Sequence, residues 1–499
     1  MSAHYKVIAV GCLGLLAAGC STPVPQALGP QDVPPAFTGP VAPGTAVWPN
    51  PDWWKGFGSD EMSGLVVQAQ QDNLDLAVAM ANVLQASANK DIARSALFPF
   101  VDATGSGQRA RTAGQTTVVP TGTGGSTTVN TGSFTGNNFG LSLNASYEAD
   151  IWGLAQDNLR AADEALKSAR FAQQVVALST TATVATTYMD ILALREEIAT
   201  IEQNIDAAKR ILTVTQAKVT NGVSSQLDLS QQQATVAGQE AALPPLREQE
   251  REAVFALAIL MGKPPEGFTV TGQNLDSIKV PAVGAGIPSA LLERRPDVAE
   301  AEANLASAHA NVDAARAAFF PAITLTGAGG LASTAIGTLF KASAFQWSIG
   351  ANLLQTVFDG GKLIAESDLA KAQQQGLIAT YRKSVISAYS DVETSLGQVS
   401  NFNEEEGALQ REVDASANAF RISELQYREG IADILTVLQS QQTLFAAKNQ
   451  LIQVKLARAQ ADVNLYKALG GGWNEDPADA TQTTTPAAPP ANQAPPAKG

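Results

Sequence analysis

Between Gly153 and Gly222 the chain runs through residues 154–221 without a single Gly or Pro. Those two residues interrupt helices most strongly, so nothing in this stretch stops one. Within it Ile191, Leu194, Ile198, Ile201, Ile205, Ala208 and Leu212 recur at alternating steps of three and four, the stripe of a helix packed along another helix. At 1.5 Å per residue an uninterrupted helix here would be about 100 Å long, several times the diameter of a compact domain. A chain built on such a helix is mainly α-helical and elongated, and the helix serves as a spacer or a wall.

The sequence also repeats itself, and the duplication constrains every shorter motif. Ala93-Arg94-Ser95-Ala96-Leu97-Phe98-Pro99 returns as Ala315-Arg316-Ala317-Ala318-Phe319-Phe320-Pro321, a shift of 222 residues. Asn221-Gly222 returns as Glu429-Gly430, and Leu260-Met261-Gly262 as Ala468-Leu469-Gly470, both shifted by 208. The shifts differ because the first copy carries a longer tract of Thr, Gly and Ser. Each copy reads as helix, strand, loop, strand, long helix, tight Gly turn and shorter helix. In the first copy one amphipathic helix is expected over 61–97, N-capped by Ser59 or Asp60 and ended by Pro99. Strands follow at 101–107 and 139–147, the second from the alternation of Phe139, Leu141, Leu143, Ala145 and Tyr147 with polar or small residues. The tract between them reads as a long, surface-exposed, mobile loop. In the second copy 345–353 alternates in the same way. Because 61–97 and 223–261 together nearly match 154–221 in length, two short helices stacked end to end are expected to line one long one.

Lys and Arg number 33 against 47 Asp and Glu, a net charge of −14 that argues against nucleic acid as a partner. Apolar residues make up 45 % and aromatics 6 %, which excludes a disordered chain and a bundle of membrane helices. After the first twenty residues no apolar run reaches the ~18 to 20 residues of a spanning helix, so any bilayer crossing is left to strands. Four short strands cannot close a barrel around a wide lumen, since the smallest membrane barrels take about eight. Either several chains share one barrel or the strands form something else. A trimeric helical stalk that never spans a membrane, and a secreted helical binding protein with a small capping sheet, are the alternatives.

Catalytic groupings are absent from the sequence pattern. Of the two histidines, His4 lies in the leader and His309 stands on a helix among Ala, Asn and Ser, without metal or triad spacing. Gly360-Gly361-Lys362 lacks the following Ser or Thr and the earlier glycine of a phosphate loop, and reads as a strand-to-helix turn. Glu196-Glu197 and Glu404-Glu405-Glu406 read as solvated faces. The expectation is a protein that is not an enzyme and holds no metal.

At the N-terminus a short cationic start precedes an apolar run at 7–18, too short to span a membrane, which reads as a secretory signal. It ends in Leu16-Ala17-Ala18-Gly19-Cys20, which resembles the lipobox of bacterial lipoproteins, with Ala17 where Leu is usual. Cys12 follows a similar Ala9-Val10-Gly11, but cleavage there would leave too short an apolar segment. With only these two cysteines the mature chain has no internal disulfide, and its one thiol is expected to carry lipid at Cys20. In lipoproteins of this type Ser21 implies sorting to the outer membrane.

Several motifs then fall in one order: the lipobox, Trp53-Trp54 before the first helix, and Leu292-Glu293-Arg294-Arg295-Pro296-Asp297-Val298 opening the second copy. Phe358-Asp359-Gly360-Gly361 follows the second strands, and Tyr427-Arg428-Glu429-Gly430 stands at the second helix turn. With the double repeat, this set resembles the TolC-like outer membrane efflux factors, above all their lipidated OprM/NodT branch, over residues 53–472. The resemblance implies a homotrimer in which each chain gives four strands to a shared twelve-stranded transmembrane β-barrel and its helices to a long α-helical coiled-coil barrel. It also implies a passive exit duct for small molecules, set in outer membrane lipid, with a periplasmic adaptor (membrane fusion) protein and an inner-membrane RND-type pump as partners. No cofactor is implied beyond the lipid on Cys20.

In the family the two helix turns, here at Gly222 and Gly430, close the periplasmic mouth and form the tips to which the adaptor docks. The motif places an apolar constriction residue at Leu435 and an acidic selectivity residue at a position occupied here by Gln439. Amides do not attract cations as a ring of carboxylates does. Asp433 and Asp228 are the nearby carboxylates that would restore a negative ring, or else helix caps. Tyr427 and Arg428 are expected to tie neighbouring turns through hydrogen bonds and charge pairs.

The chain divides into a signal peptide at 1–19, a lipidated strap at 20–58, a first repeat at 59–262, an equatorial linker at 263–293, a second repeat at 294–472 and a tail at 473–499. The linker holds Pro264, Pro265, Pro281 and Pro288, and the tail is Thr, Pro and Ala, expected as disordered. Residues 400–407 read as a polar interruption of the second long helix that joins the linker in a belt. Pro296 suits a first helical position and Asp297 the positive helix end. For the anchor, the intact mass of the purified protein should show a chain beginning at lipidated Cys20, and Cys20→Ser should abolish that added mass. An unmodified thiol, or a chain beginning elsewhere, contradicts this.

Overall fold

A computed structural model of the chain describes residues 37–39, 49–114, 116–121, 125–130, 132–279, 281, 291–471 and 473. The signal segment, Cys20, most of the strap and the tail beyond 473 lie outside the described residues. The first repeat comprises α1 (Asp60–Asp72), α2 (Leu74–Ser95), β1 (Phe100–Thr112), β2 (Thr116–Thr121), β3 (Gly125–Asn130), β4 (Phe134–Glu148), α3 (Leu154–Thr220) and α4 (Gln226–Leu260). The second comprises α5 (Pro296–Ala317), β5 (Ala322–Ser333), β6 (Phe345–Leu354), α6 (Lys362–Arg428) and α7 (Ile434–Ala468). The shift of 222 carries both ends of α2 onto those of α5. The shift of 208 does the same for α3 onto α6, each 67 residues, and for α4 onto α7, each 35 residues.

The opening helix expected over 61–97 is two helices. Ser59 caps α1 as expected, accepting from the Met62 N–H at 3.1 Å. Asn73 breaks the helix in an extended conformation, and its side chain replaces the missing backbone bonds. Its Oδ1 accepts from the N–H groups of Asp75 and Leu76 at 2.9 and 3.0 Å, capping α2, while Nδ2 donates to the Leu260 carbonyl at 2.9 Å at the end of α4. Arg295 occupies the equivalent place before α5. Its buried guanidinium donates to the Ala468 carbonyl at 3.2 Å, at the end of α7, and pairs with Asp297 and Asp391 at 2.6 and 3.0 Å. The glycines that follow α4 and α7 press on the same junctions. A Cβ on Gly262 (φ 64°) would lie 2.3 Å from the Asp72 carbonyl oxygen, and one on Gly470 (φ 87°) 1.9 Å from that of Arg294.

Two units emerge, one holding Ala81–Arg170 with Ala301–Tyr381 and the other holding the remaining described residues. The second contains the main core, where Trp53, Trp54, Phe57, Met62, Tyr188, Leu192, Leu257, Met261, Val463 and Tyr466 are buried together. Trp53 stacks on Tyr466 with centroids 5.1 Å apart. The linker folds onto this unit through Glu61, whose carboxylate accepts from the Thr271 and Gly272 N–H groups at 2.6 and 2.8 Å and from the Tyr188 hydroxyl at 2.9 Å. Burial pushes the Glu61 carboxyl up, but these bonds outweigh it and hold it below the usual range. Lys455 reaches the linker at Asp276, 3.0 Å away.

The polar stretch 400–407 does not interrupt α6, which runs unbroken to Arg428. Its residues include no proline, and Glu406 is held by an ion pair with Arg458 of α7. One helix, α3, also contains an 18-residue window with the length and composition of a membrane span, mean hydropathy 1.3. Half of that window is buried inside the chain, so its small apolar residues serve helix packing.

In the other unit the strands form one antiparallel sheet in the order β1-β4-β5-β6, joining both repeats, and β2 pairs separately with β3. The tract expected as a long loop is therefore largely strand, with β1 and β4 extended and β2 and β3 between them. Its Thr and Val residues carry the β-branched side chains that favour extended backbone. The register brings Ala103 opposite Leu143, Leu141 opposite Leu331, and Leu325 opposite Ala351. Successive side chains alternate faces, so this pairing collects Leu141, Leu143, Leu325, Phe345, Trp347 and Ile349 on one face. The other face is polar, with Thr104 bonded to Ser142 at 2.8 Å and Asn144 donating to Asp102 at 3.0 Å. The apolar face is uncovered within the chain, Trp347 being 69 % and Ile349 81 % exposed.

One buried acid gives this fold a pH dependence. Asp462 of α7 is 2 % exposed, and burial raises its carboxyl to about 7, with the Arg458 guanidinium opposing. Because the folded chain holds the proton more tightly than the unfolded one, this site stabilises most at low pH and loses that contribution as pH rises from about 4 through 7. The melting temperature in detergent should therefore fall between pH 5.5 and 8, and Asp462→Asn should flatten that fall and raise stability at pH 8 by roughly 1 to 4 kcal/mol.

Candidate functional site at the helix turns

Both long helices end in the same way. Gly222 and Gly430 adopt left-handed backbone, φ 71° and 78°, and the next N–H reaches back to close the helix, Val223 to Lys218 at 2.8 Å and Ile431 to Gln426 at 2.8 Å. A side chain at either glycine would strain this C-cap. The following helices restart with side-chain caps. Ser225 and Asp228 form a reciprocal capping box, with Asp228 also accepting from the Ser224 hydroxyl at 2.6 Å. At the equivalent of Ser225, Asp433 accepts from both the N–H and the hydroxyl of Thr436, at 2.8 and 2.7 Å.

Both aspartates are thus caps, and capping keeps them charged. The Ser224 hydroxyl and Ser225 backbone hold the Asp228 carboxyl below its usual range, and Thr436 does the same for Asp433. Asp228 pushes Asp433 back upward, so the carboxylates of the two turns act on each other. The tips carry fixed negative charge close together. Leu435, the second residue of α7, is 58 % exposed, and Gln439 is exposed one turn further on.

Tyr427 is 3 % exposed and joins the repeats within one chain. Its hydroxyl donates to Thr215 of α3 at 3.0 Å, Lys218 of α3 stands 4.5 Å over its ring, and the Lys218 ammonium donates to its backbone carbonyl. Beneath it Ile211, Phe420, Ile434, Val437 and Leu444 form a second core cluster. Arg428 does not take part: it turns back along α6 to Glu424 at 2.5 Å, because a carboxylate one turn away on its own helix is the nearest partner. Lys218 and Thr215 carry no motif of their own, and only the place of Lys218 in the last turn before Gly222 marks it in the sequence. Among the described residues no group of His, Cys, Asp and Glu is arranged to hold a metal ion.

The chain thus combines duplicated pairs of long helices with a four-stranded sheet that has two unpaired edges and one bare apolar face. The family profile described as "Outer membrane efflux protein" matches residues 65–263 and 287–471. The chain is 39 % identical over 427 residues to the pyoverdine export outer membrane protein OpmQ of Pseudomonas aeruginosa, covering 85 % of this chain and 88 % of that one. Among solved structures, the outer-membrane channel OprN matches with a TM-score of 0.80 at 26 % identity, over 91 % of this chain and 99 % of that one. The open state of the Neisseria gonorrhoeae MtrE outer membrane channel matches with a TM-score of 0.79 at 28 % identity, over 91 % and 99 %. The chain belongs to the outer membrane efflux protein family. It is an outer membrane efflux channel.

The tie between the repeats is directly testable. Tyr427→Phe should cost about 1 kcal/mol for the lost hydrogen bond, and Tyr427→Ala about 3 to 5 kcal/mol for the cavity. Amide hydrogen exchange over 210–222 should accelerate in that order, and unchanged exchange in both variants would show that Tyr427 does not hold the turn.

Proposed function

We propose that this chain is the outer membrane exit duct of a tripartite efflux system, exporting small molecules passively. The observation that carries the proposal is the four-stranded sheet. Its apolar face is bare within one chain and its two edges, β1 and β6, are unpaired in it, an arrangement costly for a lone soluble sheet. Edge-to-edge joining of three copies closes twelve strands with the apolar face toward lipid and the Thr, Ser and Asn face toward water. On this reading the chain is a homotrimer anchored by lipid at Cys20, and its tips at Gly222 and Gly430 dock a periplasmic adaptor that leads to an inner-membrane RND-type pump. The pyoverdine export named for OpmQ fits cargo of small-molecule size here.

In the resting duct the turns stand around one axis and the exposed Leu435 side chains close it. Gln439 adds no charge, so Asp433 and Asp228, held ionised by their caps, supply the cation preference. Tyr427 bolts the second turn to α3 and keeps the closed arrangement. Purified protein in planar bilayers tests both the duct and the gate. Leu435→Ser should raise single-channel conductance about twofold or more. Asp433→Asn with Asp228→Asn should lower cation selectivity while leaving the fold intact, since Asn also caps helices. No channel activity would overturn the duct, and unaltered currents in both variants would move the gate elsewhere.

A further inference from the structure

Some distance along the helices from the turns, α3, α6 and α7 leave a cavity of about 330 Å³ in the helical unit. That is the small end of the range of ligand pockets. Its apolar wall is Phe420, Leu444 and Phe445, each buried, with the two rings 6.5 Å apart. Opposite them α3 places Asn204, 1 % exposed, whose amide nitrogen and oxygen both lack a hydrogen-bond partner. A buried amide with neither atom satisfied is rare in a folded protein and calls for an explanation.

Charge at the cavity is unbalanced. Lys448 of α7 lines it half-buried, and no acid stands three or four residues away on its helix. It forms no ion pair among the described residues, and burial pushes its ammonium below the usual range. Arg210 and Asp206 of α3 line the cavity as well. The lining thus holds two cations, Arg210 and Lys448, against the single carboxylate of Asp206, a net positive charge.

We infer that this cavity is a binding site for a small amphiphilic carboxylate, the anion meeting Lys448 and Asn204 and the apolar body lying against Phe420 and Phe445. Asn204 donates through its amide nitrogen to a carboxylate oxygen, and the ammonium of Lys448 completes the pairing. Because the site joins α3 to α7, an occupant braces the two repeats against each other. The inference is independent of the duct and its gate, since the site lies within one unit of one chain and its test needs no channel.

The test is calorimetric titration of the full-length protein in detergent with 4-phenylbutanoate, alongside its uncharged counterpart 4-phenylbutanamide. The acid should bind saturably at one site per chain, and the amide about tenfold more weakly or less, as the loss of a charge-assisted bond dictates. Lys448→Met keeps the apolar stem and should weaken the acid by a similar factor while leaving the amide unchanged. Asn204→Leu removes the side-chain amide that meets the head group and should weaken both. Absence of saturable heat, equal affinity for acid and amide, or an unaltered titration in Lys448→Met overturns the site, whatever the channel does in bilayers.

Discussion

Two short helices can line one long helix only if the facing ends of the short pair satisfy each other. The last carbonyls of one and the first N–H groups of the next are both without intrahelical partners, and a buried joint would leave them bare. Asn73 resolves this with a single side chain, donating to the Leu260 carbonyl behind it and accepting from Asp75 and Leu76 ahead. Arg295 resolves it in the second copy with a guanidinium and the help of Asp297, which accepts from the Val298 N–H. Pro296, having no N–H to satisfy, opens α5 at no loss. The glycines after α4 and α7 let the incoming chain close on these joints, where a Cβ would collide with a backbone carbonyl. The end-to-end meeting of short helices depends in both copies on these two splices, at positions 222 residues apart.

The long helices, the glycine turns and the duplication were legible from residue pattern alone, because each rests on local backbone preference or on direct self-similarity. The break at Asn73 was not. It lies in a run with helical periodicity, and the reason for the break is a carbonyl far away in sequence. The duplication did hold the signal, since the shift that carries Pro99 onto Pro321 also carries Leu74 onto Pro296. The Thr-rich tract misled in the other direction. Composition alone reads as loop, whereas β-branched residues paired across a hairpin become strand. At 400–407, polarity resembled an interruption, but a helix with neither Pro nor a competing cap continues through polar residues when one of them, Glu406, finds a partner in Arg458.

At the turns, the residue pattern marks the two glycines, whereas the partners of the side chains around them come from distant parts of the chain. Asp228 and Asp433 are caps first, and their charge is a consequence of capping rather than an alternative to it. Arg428 spends its charge on its own helix. The tie between repeats falls instead to Lys218 and Thr215 acting on Tyr427, a set assembled from residues far apart in the chain. In the first repeat Val219 stands where the second has Tyr427, so the two copies have diverged into a holder and a held partner.

The parity of the sheet sets what lengths evolution can vary. Over 101–107, 139–147, 323–331 and 345–353 the large apolar residues carry odd numbers and the Ser, Thr, Asn, Gln and Asp residues even ones, and the register keeps each set on one face. A residue gained or lost inside any strand would turn the remainder of that strand inside out, whereas one gained in a hairpin connection is absorbed. The first hairpin has grown by the paired β2 and β3, and the second closes through two short turns between Ser333 and Phe345. Insertion has accordingly accumulated where the two copies differ in shift, 222 residues before the hairpin and 208 after it, and the strands have kept their phase.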